Sequence, residues 1–425
     1  MVVIANMVGT GVFTSLGFQV AGIKSGSAIL LLWFIGGLIS FFGAYSYAIL
    51  GSFYQKNGGE YIFLKSAYSE KLGFLSGWIS FLLGFAAPIA AACFAFSSYF
   101  SGMLHANESS SFYGFSYTDI YSVVILICIT LMHSYSHKMS SWFQNVLSSL
   151  KVFILVALIL IGLFVDQKTD VNFQIGTHFI NNVWNNAFVV SLFFVTYAYS
   201  GWNAAAYIGG EVKNPKKNLP LALIIGTGTV SIFYILLNYV FLKHIPMDEM
   251  SGKLDIGIIY ADKILGTVWG RVFGGVIAFL LLSSISSMVL AGPRVTNAVA
   301  KDFPKLNWFS HENNSGIPKR ALWIQAIIAM IFVLTSGFES LITMIGFVLN
   351  LFTMLTVIGS IRIGMRIKKE SNLVNKFVFP TFPIIFLAFQ SWILCFGLYS
   401  KTKESLIGLG ITLIGIPVYK WVKKD

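Results

Sequence analysis

Charge is scarce in this 425-residue chain: Asp, Glu, Lys and Arg make up 11% of it, against 56% hydrophobic residues. A soluble globular domain carries roughly 25% charged residues, so a soluble fold is excluded, and the mean hydropathy of +0.76 agrees. Carboxylates are scarcer still. All 17 acidic residues fall in loops or near the ends of apolar runs, which leaves a membrane-embedded enzyme without an acid, base or metal ligand at depth. The six histidines, His105, His133, His137, His178, His244 and His311, share that distribution, so no catalytic residue and no metal site is indicated. The three cysteines, Cys93, Cys128 and Cys395, lie far apart within apolar runs and read as packing residues rather than a metal motif. No filter motif repeats and no ring of charge is evident, which argues against a channel.

What is abundant is apolar sequence. Runs of roughly 20 residues span the ~30 Å hydrocarbon core, and twelve can be laid out, at about 3–22, 27–54, 72–103, 118–135, 140–165, 186–209, 220–243, 268–300, 320–337, 339–366, 378–400 and 404–422. The chain therefore reads as an all-α, multi-pass integral membrane protein with the lipid bilayer as its solvent. In a soluble protein the net charge of +12 would suggest nucleic acid; here its distribution decides otherwise. With the N-terminus inside, 20 basic residues fall on the cytoplasmic side and 8 on the opposite side. The positive-inside rule then places both termini in the cytoplasm.

Two runs are interrupted by small residues, at Gly9-Thr10-Gly11 in the first and at Ser200-Gly201 in the sixth. A helix broken inside lipid frees N–H and C=O groups that hydrocarbon cannot satisfy, so each break must line a cavity or hold a ligand. The bland alternative for the first is a Gly-rich packing face. Five runs counted from each break give residues 1–165 and 186–368, with 378–425 holding the last two runs. An odd number of spans per unit makes the second unit insert upside down, an inverted repeat with the broken helices facing each other.

The remaining basic residue, Lys151, sits near the middle of the fifth run, at a depth similar to Ser283 and Ser284 in the eighth and to both breaks. An ionised side chain there costs at least ~2.5 to 3.5 kcal/mol. Carbonyls freed at Gly9 and the two serine hydroxyls are available to solvate it. Two roles stay open: a fixed cation tying three helices together, or a group that carries a proton. Glu211, beside Lys213, Lys216 and Lys217, is either a solvated ion-pair member or an inner gate.

Gly9-Thr10-Gly11-Val12-Phe13 resembles the first-helix signature GSGIF of the amino acid–polyamine–organocation superfamily. Tyr199-Ser200-Gly201-Trp202-Asn203 and the following EVKNPKKNLP, residues 211–220, resemble its sixth-helix segment and the loop after it. Ser283-Ser284 followed by Ala291-Gly292-Pro293-Arg294-Val295 is similar to a third pattern of the family. The Gly-Trp-Asn run looks closest to the L-type transporters and their bacterial relatives. Ala298–Phe303 departs from the AMARDG common among relatives, which loosens placement within the superfamily but leaves the substrate site untouched.

The resemblance implies twelve transmembrane helices in a LeuT-type five-plus-five inverted repeat, with the first and sixth helices discontinuous. It implies a substrate site at Met7, Gly9, Thr10 and Gly11 with Tyr197, Ala198, Ser200, Gly201, Trp202 and Asn203. Thr10 and Gly11 would meet a carboxylate, and carbonyls of Met7, Tyr197 and Ser200 an ammonium. Tyr197 would be an outer lid, though it, Tyr199 and Trp202 also read as ordinary aromatic packing. Lys151 with Ser283 and Ser284 would occupy the place of the sodium ion in sodium-coupled relatives.

The function expected is a secondary transporter that moves neutral, zwitterionic amino acids by alternating access, as a proton symporter or an exchanger. A site without a carboxylate disfavours the alternative of a cationic amino acid or a polyamine, although Trp202 could stack on a guanidinium. The partners expected are the amino acid, lipid and protons. No cofactor is expected, and no accessory subunit is indicated, since no cysteine stands in an outer loop to tether one. The location is the plasma or bacterial inner membrane.

Overall fold

The computed structural model describes residues 2–56, 58–104, 111–112, 115–135, 137–167, 169–207, 209–313, 316–367 and 379–423. In chain order the helices are α1 (Val2–Met7), α2 (Gly11–Gly22), α3 (Gly26–Tyr54), α4 (Glu60–Ala67), α5 (Glu70–Ile79), α6 (Ala86–Leu104), α7 (Tyr117–Tyr135), α8 (His137–Phe164), α9 (Thr177–Val183) and α10 (Asn186–Ala198). They continue as α11 (Ala204–Tyr207), α12 (Pro215–His244), α13 (Met247–Met250), α14 (Ile256–Leu265), α15 (Thr267–Asp302), α16 (Lys319–Thr335), α17 (Phe338–Ile367), α18 (Thr381–Ser400) and α19 (Thr402–Lys423). A π-helical turn, Ser80–Gly84, joins α5 to α6, and Ser111–Phe112 pairs with Phe115–Ser116 as a minimal antiparallel ribbon.

Helix dominates because hydrocarbon supplies no partner for a peptide group, so each apolar segment must bond within itself. Among the described residues nine helices are long and apolar enough to cross a membrane: α3, α5 with α6, α7, α8, α12, α15, α17, α18 and α19. The other three expected runs are shorter. The run at 3–22 is divided into α1 and α2, that at 186–209 into α10 and α11, and that at 320–337 forms α16 of 17 residues.

Helices α3 and α12 pack along one side of the broken segments, while α6 and α15 pack together and α10 lies between α2 and α17. The two broken segments come close at Gly11, where a Cβ would collide with Cα of Ala198 and fall 2.7 Å from its Cβ. Six ion pairs among the described residues mark the two polar ends. Lys65–Asp302, Lys301–Glu312 and Lys423–Glu70 lie at the end that carries α4; Lys24–Asp248, Lys263–Glu249 and Lys401–Glu339 lie at the end that carries α14. Each is partly exposed and worth at most about 1 kcal/mol. Of the cysteines, Cys93 is buried as expected of a packing residue, but Cys128 and Cys395 are exposed, on helices whose outer faces are apolar.

Candidate functional site

Both interruptions expected from the small residues are present as breaks in helix. Between α1 and α2, residues 8–10 form bends outside both helices, and Thr10 gives α2 no side-chain cap. The first amides of α2 therefore need a partner from outside the helix. Between α10 and α11, residues 199–203 form turns, with Gly201 at φ +94°, a conformation open to glycine and strained for other residues. A Cβ on Gly201 would also press within 2.8 Å of Asn6 Nδ2, which donates to the Gly201 carbonyl across 3.4 Å.

Hydroxyls from neighbouring helices fill the first break. Thr10 Oγ1 lies 3.1 Å from Tyr197 Oη. Tyr234 Oη, on α12, lies 2.5 Å from the Met7 carbonyl oxygen and 3.1 Å from that of Ala198. A single phenolic proton serves both breaks, and the sequence reading missed this residue: one tyrosine among 18 in the chain carries no local signal.

A cavity of about 450 Å³ runs from the sixth-helix break toward the α4 end. Of the residues singled out for substrate, Tyr197, Ser200, Gly201, Trp202 and Asn203 line it; Met7, Gly9, Thr10, Gly11 and Ala198 stand behind them. Trp202 lies edge-on to Tyr47 with centroids 4.7 Å apart, and its ring fills the space beside Gly43. It is thus both packed and cavity-facing. Toward the α14 end the broken segments are packed by aromatic rings. Phe18 stacks on Phe194 at 5.1 Å and on Phe338 at 5.8 Å, and the Gly17 carbonyl accepts from Gly252 N–H across 3.0 Å.

Lys151 is 1% exposed, and its Nζ donates to Ser284 Oγ across 2.9 Å. That same hydroxyl lies 3.7 Å from where a Cβ on Gly9 would stand, so the fifth-run lysine, the eighth-run serine and the first break converge. Ser283 does not join them: its Oγ donates to the Leu280 carbonyl of its own helix. Adjacent helical residues point about 100° apart, so only one of the two serines can face the lysine. The side chain of Glu211 lies outside the described residues.

The structure corrects one premise outright, that the site holds no carboxylate. Glu60 begins α4, lines the cavity and is only 4% exposed. Gly58 and Gly59, at φ +122° and +52°, make the turn that lets the chain fold in, and a Cβ on Gly59 would collide with the Tyr207 ring. The Tyr47 hydroxyl and Asn203 Nδ2 donate to Glu60 Oε1, the latter across 3.3 Å, and Thr353 bonds the same carboxylate. Burial pushes the Glu60 carboxyl above its ordinary range, and those three hydrogen bonds pull against the rise. The signal in the sequence was the Gly58-Gly59-Glu60 run, two glycines immediately before an acidic first residue of a helix.

Two buried histidines lie apart from this cavity. His133 Nε2 is 2.9 Å from Ser286 Oγ and His244 Nε2 is 2.8 Å from the Gly162 carbonyl oxygen. Among the described residues no cluster of His, Cys, Asp or Glu could hold a metal ion.

Comparison with known proteins places this geometry. The amino acid permease family profile matches residues 1–416. The chain is 28% identical to the large neutral amino acids transporter small subunit 2 of Mus musculus over 429 residues, covering 98% of this chain and 78% of the relative. It is 26% identical to the serine/threonine exchanger SteT of Bacillus subtilis (strain 168), covering 99% and 94%. It is also 26% identical to the b(0,+)-type amino acid transporter 1 of Mus musculus, covering 84% and 73%.

Proposed function

The chain belongs to the amino acid permease family, and on that premise we propose that it carries neutral amino acids across a membrane by alternating access at the two helix breaks. The observation that carries this reading is the unwound stretch Ser200–Asn203 bordering a 450 Å³ cavity. Freed peptide groups and a side-chain amide suit the two charges of a zwitterion, and the cavity volume is in the range of small-molecule sites. The proposed frame is twelve spans in a LeuT-type repeat, residues 1–165 and 186–368, with 378–425 outside it. Its support is the run pattern and the pairing of breaks. The 20-to-8 basic asymmetry supports cytoplasmic termini, which makes the α4 end the inner one and the cavity inward-facing.

Substrate would meet Tyr197, Ser200, Gly201, Trp202 and Asn203 first. Reaching the backbone of the first break behind them, at Gly9, Thr10 and Gly11, requires Tyr197 to leave Thr10. Lys151 acts as a fixed cation linking the fifth, first and eighth spans through Ser284, where sodium-coupled relatives hold their ion. A neutral substrate is favoured over a cationic one because Glu60, the one carboxylate lining the cavity among the described residues, already accepts from three donors.

Reconstitution tests the reading. Purified protein in liposomes should accumulate labelled neutral amino acids and exchange them for internal ones, and an imposed pH gradient separates symport from exchange. Absence of both uptake and exchange for every neutral amino acid, or unitary channel currents, would remove it.

A further inference from the structure

Asn203 sits where the sixth-span break meets the cavity, and its amide has two possible orientations. An amide group presents either its oxygen or its NH2, and the surrounding partners decide which. Here Nδ2 donates to Glu60 Oε1 across 3.3 Å and lies 3.4 Å from Tyr207 Oη. Glu60 Oε1 acts here as an acceptor, from the Tyr47 hydroxyl and from Asn203 Nδ2, so it holds the amide by its NH2. Both amide hydrogens are then committed to protein, and the atom left for the cavity is Oδ1, an acceptor.

We propose that Glu60 is a positioning residue that fixes the Asn203 amide with its oxygen toward the cavity, making the site selective for amino acids whose side chain donates a hydrogen bond. The inference rests on the transport reading above and adds a substrate class to it. Glu60 is itself locked by Tyr47 from α3 and Thr353 from α17, and the Gly58-Gly59 turn sets its position. Its role here is exerted through Asn203.

L-Serine and L-alanine differ by one hydroxyl and share every backbone group, so their ratio of transport efficiency isolates the side-chain contact. In proteoliposomes the wild type should prefer serine. Glu60→Gln supplies a neutral amide that can donate, permits Asn203 to turn over, and should lower the serine-to-alanine ratio roughly two- to tenfold, the range of one neutral hydrogen bond, with alanine transport retained. Glu60→Asp, which keeps a carboxyl as acceptor, should keep the preference at a reduced rate. Tyr207→Phe, which removes the second anchor, should lower the ratio in the same direction and decides the matter if Glu60→Gln fails to fold. A wild type that moves the two substrates equally, or variants that slow both by the same factor, would overturn the inference and leave the transport reading standing. A wild type that moves neither serine, alanine nor any other neutral amino acid would instead remove that reading.

Discussion

Nζ of Lys151 on α8 donates to the hydroxyl of Ser284 on α15 across 2.9 Å, beside the break that divides α1 from α2. A basic group buried to 1% exposure with a hydroxyl as partner is costly to hold in its charged form, and the transport reading gives it a coupling role. Lys151→Ala should abolish or uncouple accumulation while the protein still inserts and purifies as a folded species. Uptake against a gradient is the measurement, and wild-type coupling in the variant would sink the assignment.

The neighbouring serines give a sharper contrast. Ser284→Ala strips the buried Lys151 donor of its acceptor, which costs about 1–3 kcal/mol. Ser283→Ala removes a bond to its own helix and should change thermal stability by less than half as much. Melting curves of the two variants in detergent test this, and equal losses would contradict the geometry.

Tyr197 and Thr10 form a latch between the two breaks, 3.1 Å apart and buried. Tyr197→Phe removes one hydrogen bond, about 0.5–1.5 kcal/mol, and should shift the population toward a state open at the α14 end. A single cysteine at Ser15→Cys, a buried position on α2 between the break and Phe18, on a background lacking Cys93, Cys128 and Cys395, reports this. Its labelling by a membrane-impermeant thiol reagent should quicken several-fold when Tyr197→Phe is added; unchanged labelling would show that the latch does not hold the seal.

Glycines at two positions should respond with opposite sign. Gly11→Ala drives a Cβ into the Ala198 backbone, and overpacking of that kind costs about 1–3 kcal/mol, with transport lost. Gly228 lies inside α12 with open space around it, so Gly228→Ala should gain roughly 0.5–1 kcal/mol from the helix backbone. Thermal unfolding and uptake of both variants give the comparison.

The buried carboxyl of Glu60 predicts a pH effect whose sign is fixed. Its value is raised above the ordinary 4.5 chiefly by burial, so folding increases its affinity for a proton. That contribution is fully present below 4.5 and is lost as pH rises through the raised value. Wild-type stability relative to Glu60→Gln should therefore increase on acidification across that window, by at most about 1.4 kcal/mol per pH unit. A gap that widens in the other direction would mean that the hydrogen bonds outweigh burial.

Much of this architecture was legible because a membrane restricts the choices. Apolar runs located the long helices, small residues located both breaks, and Lys151 stood out as a charge where none is cheap. What the sequence concealed depends on tertiary approach. Gly58-Gly59-Glu60 reads as a loop between spans, and only the fold-back against Tyr207 brings the carboxylate into the cavity. Tyr234 and Ser283 show the same limit from two directions: one gains a role, the other loses it, according to which face of a helix meets the break.

The stack of Phe18, Phe194 and Phe338 has a consequence for turnover. In the proposed cycle these three stacked rings form an apolar barrier on the α14 side, one that needs no charged group to oppose ions. Each cycle must part and wet those rings, giving up about 0.5–1.5 kcal/mol per pair beyond the area exposed. Tightness against leak and speed of transport are thereby set against each other at one aromatic plug, and smaller side chains there should make a faster but leakier carrier.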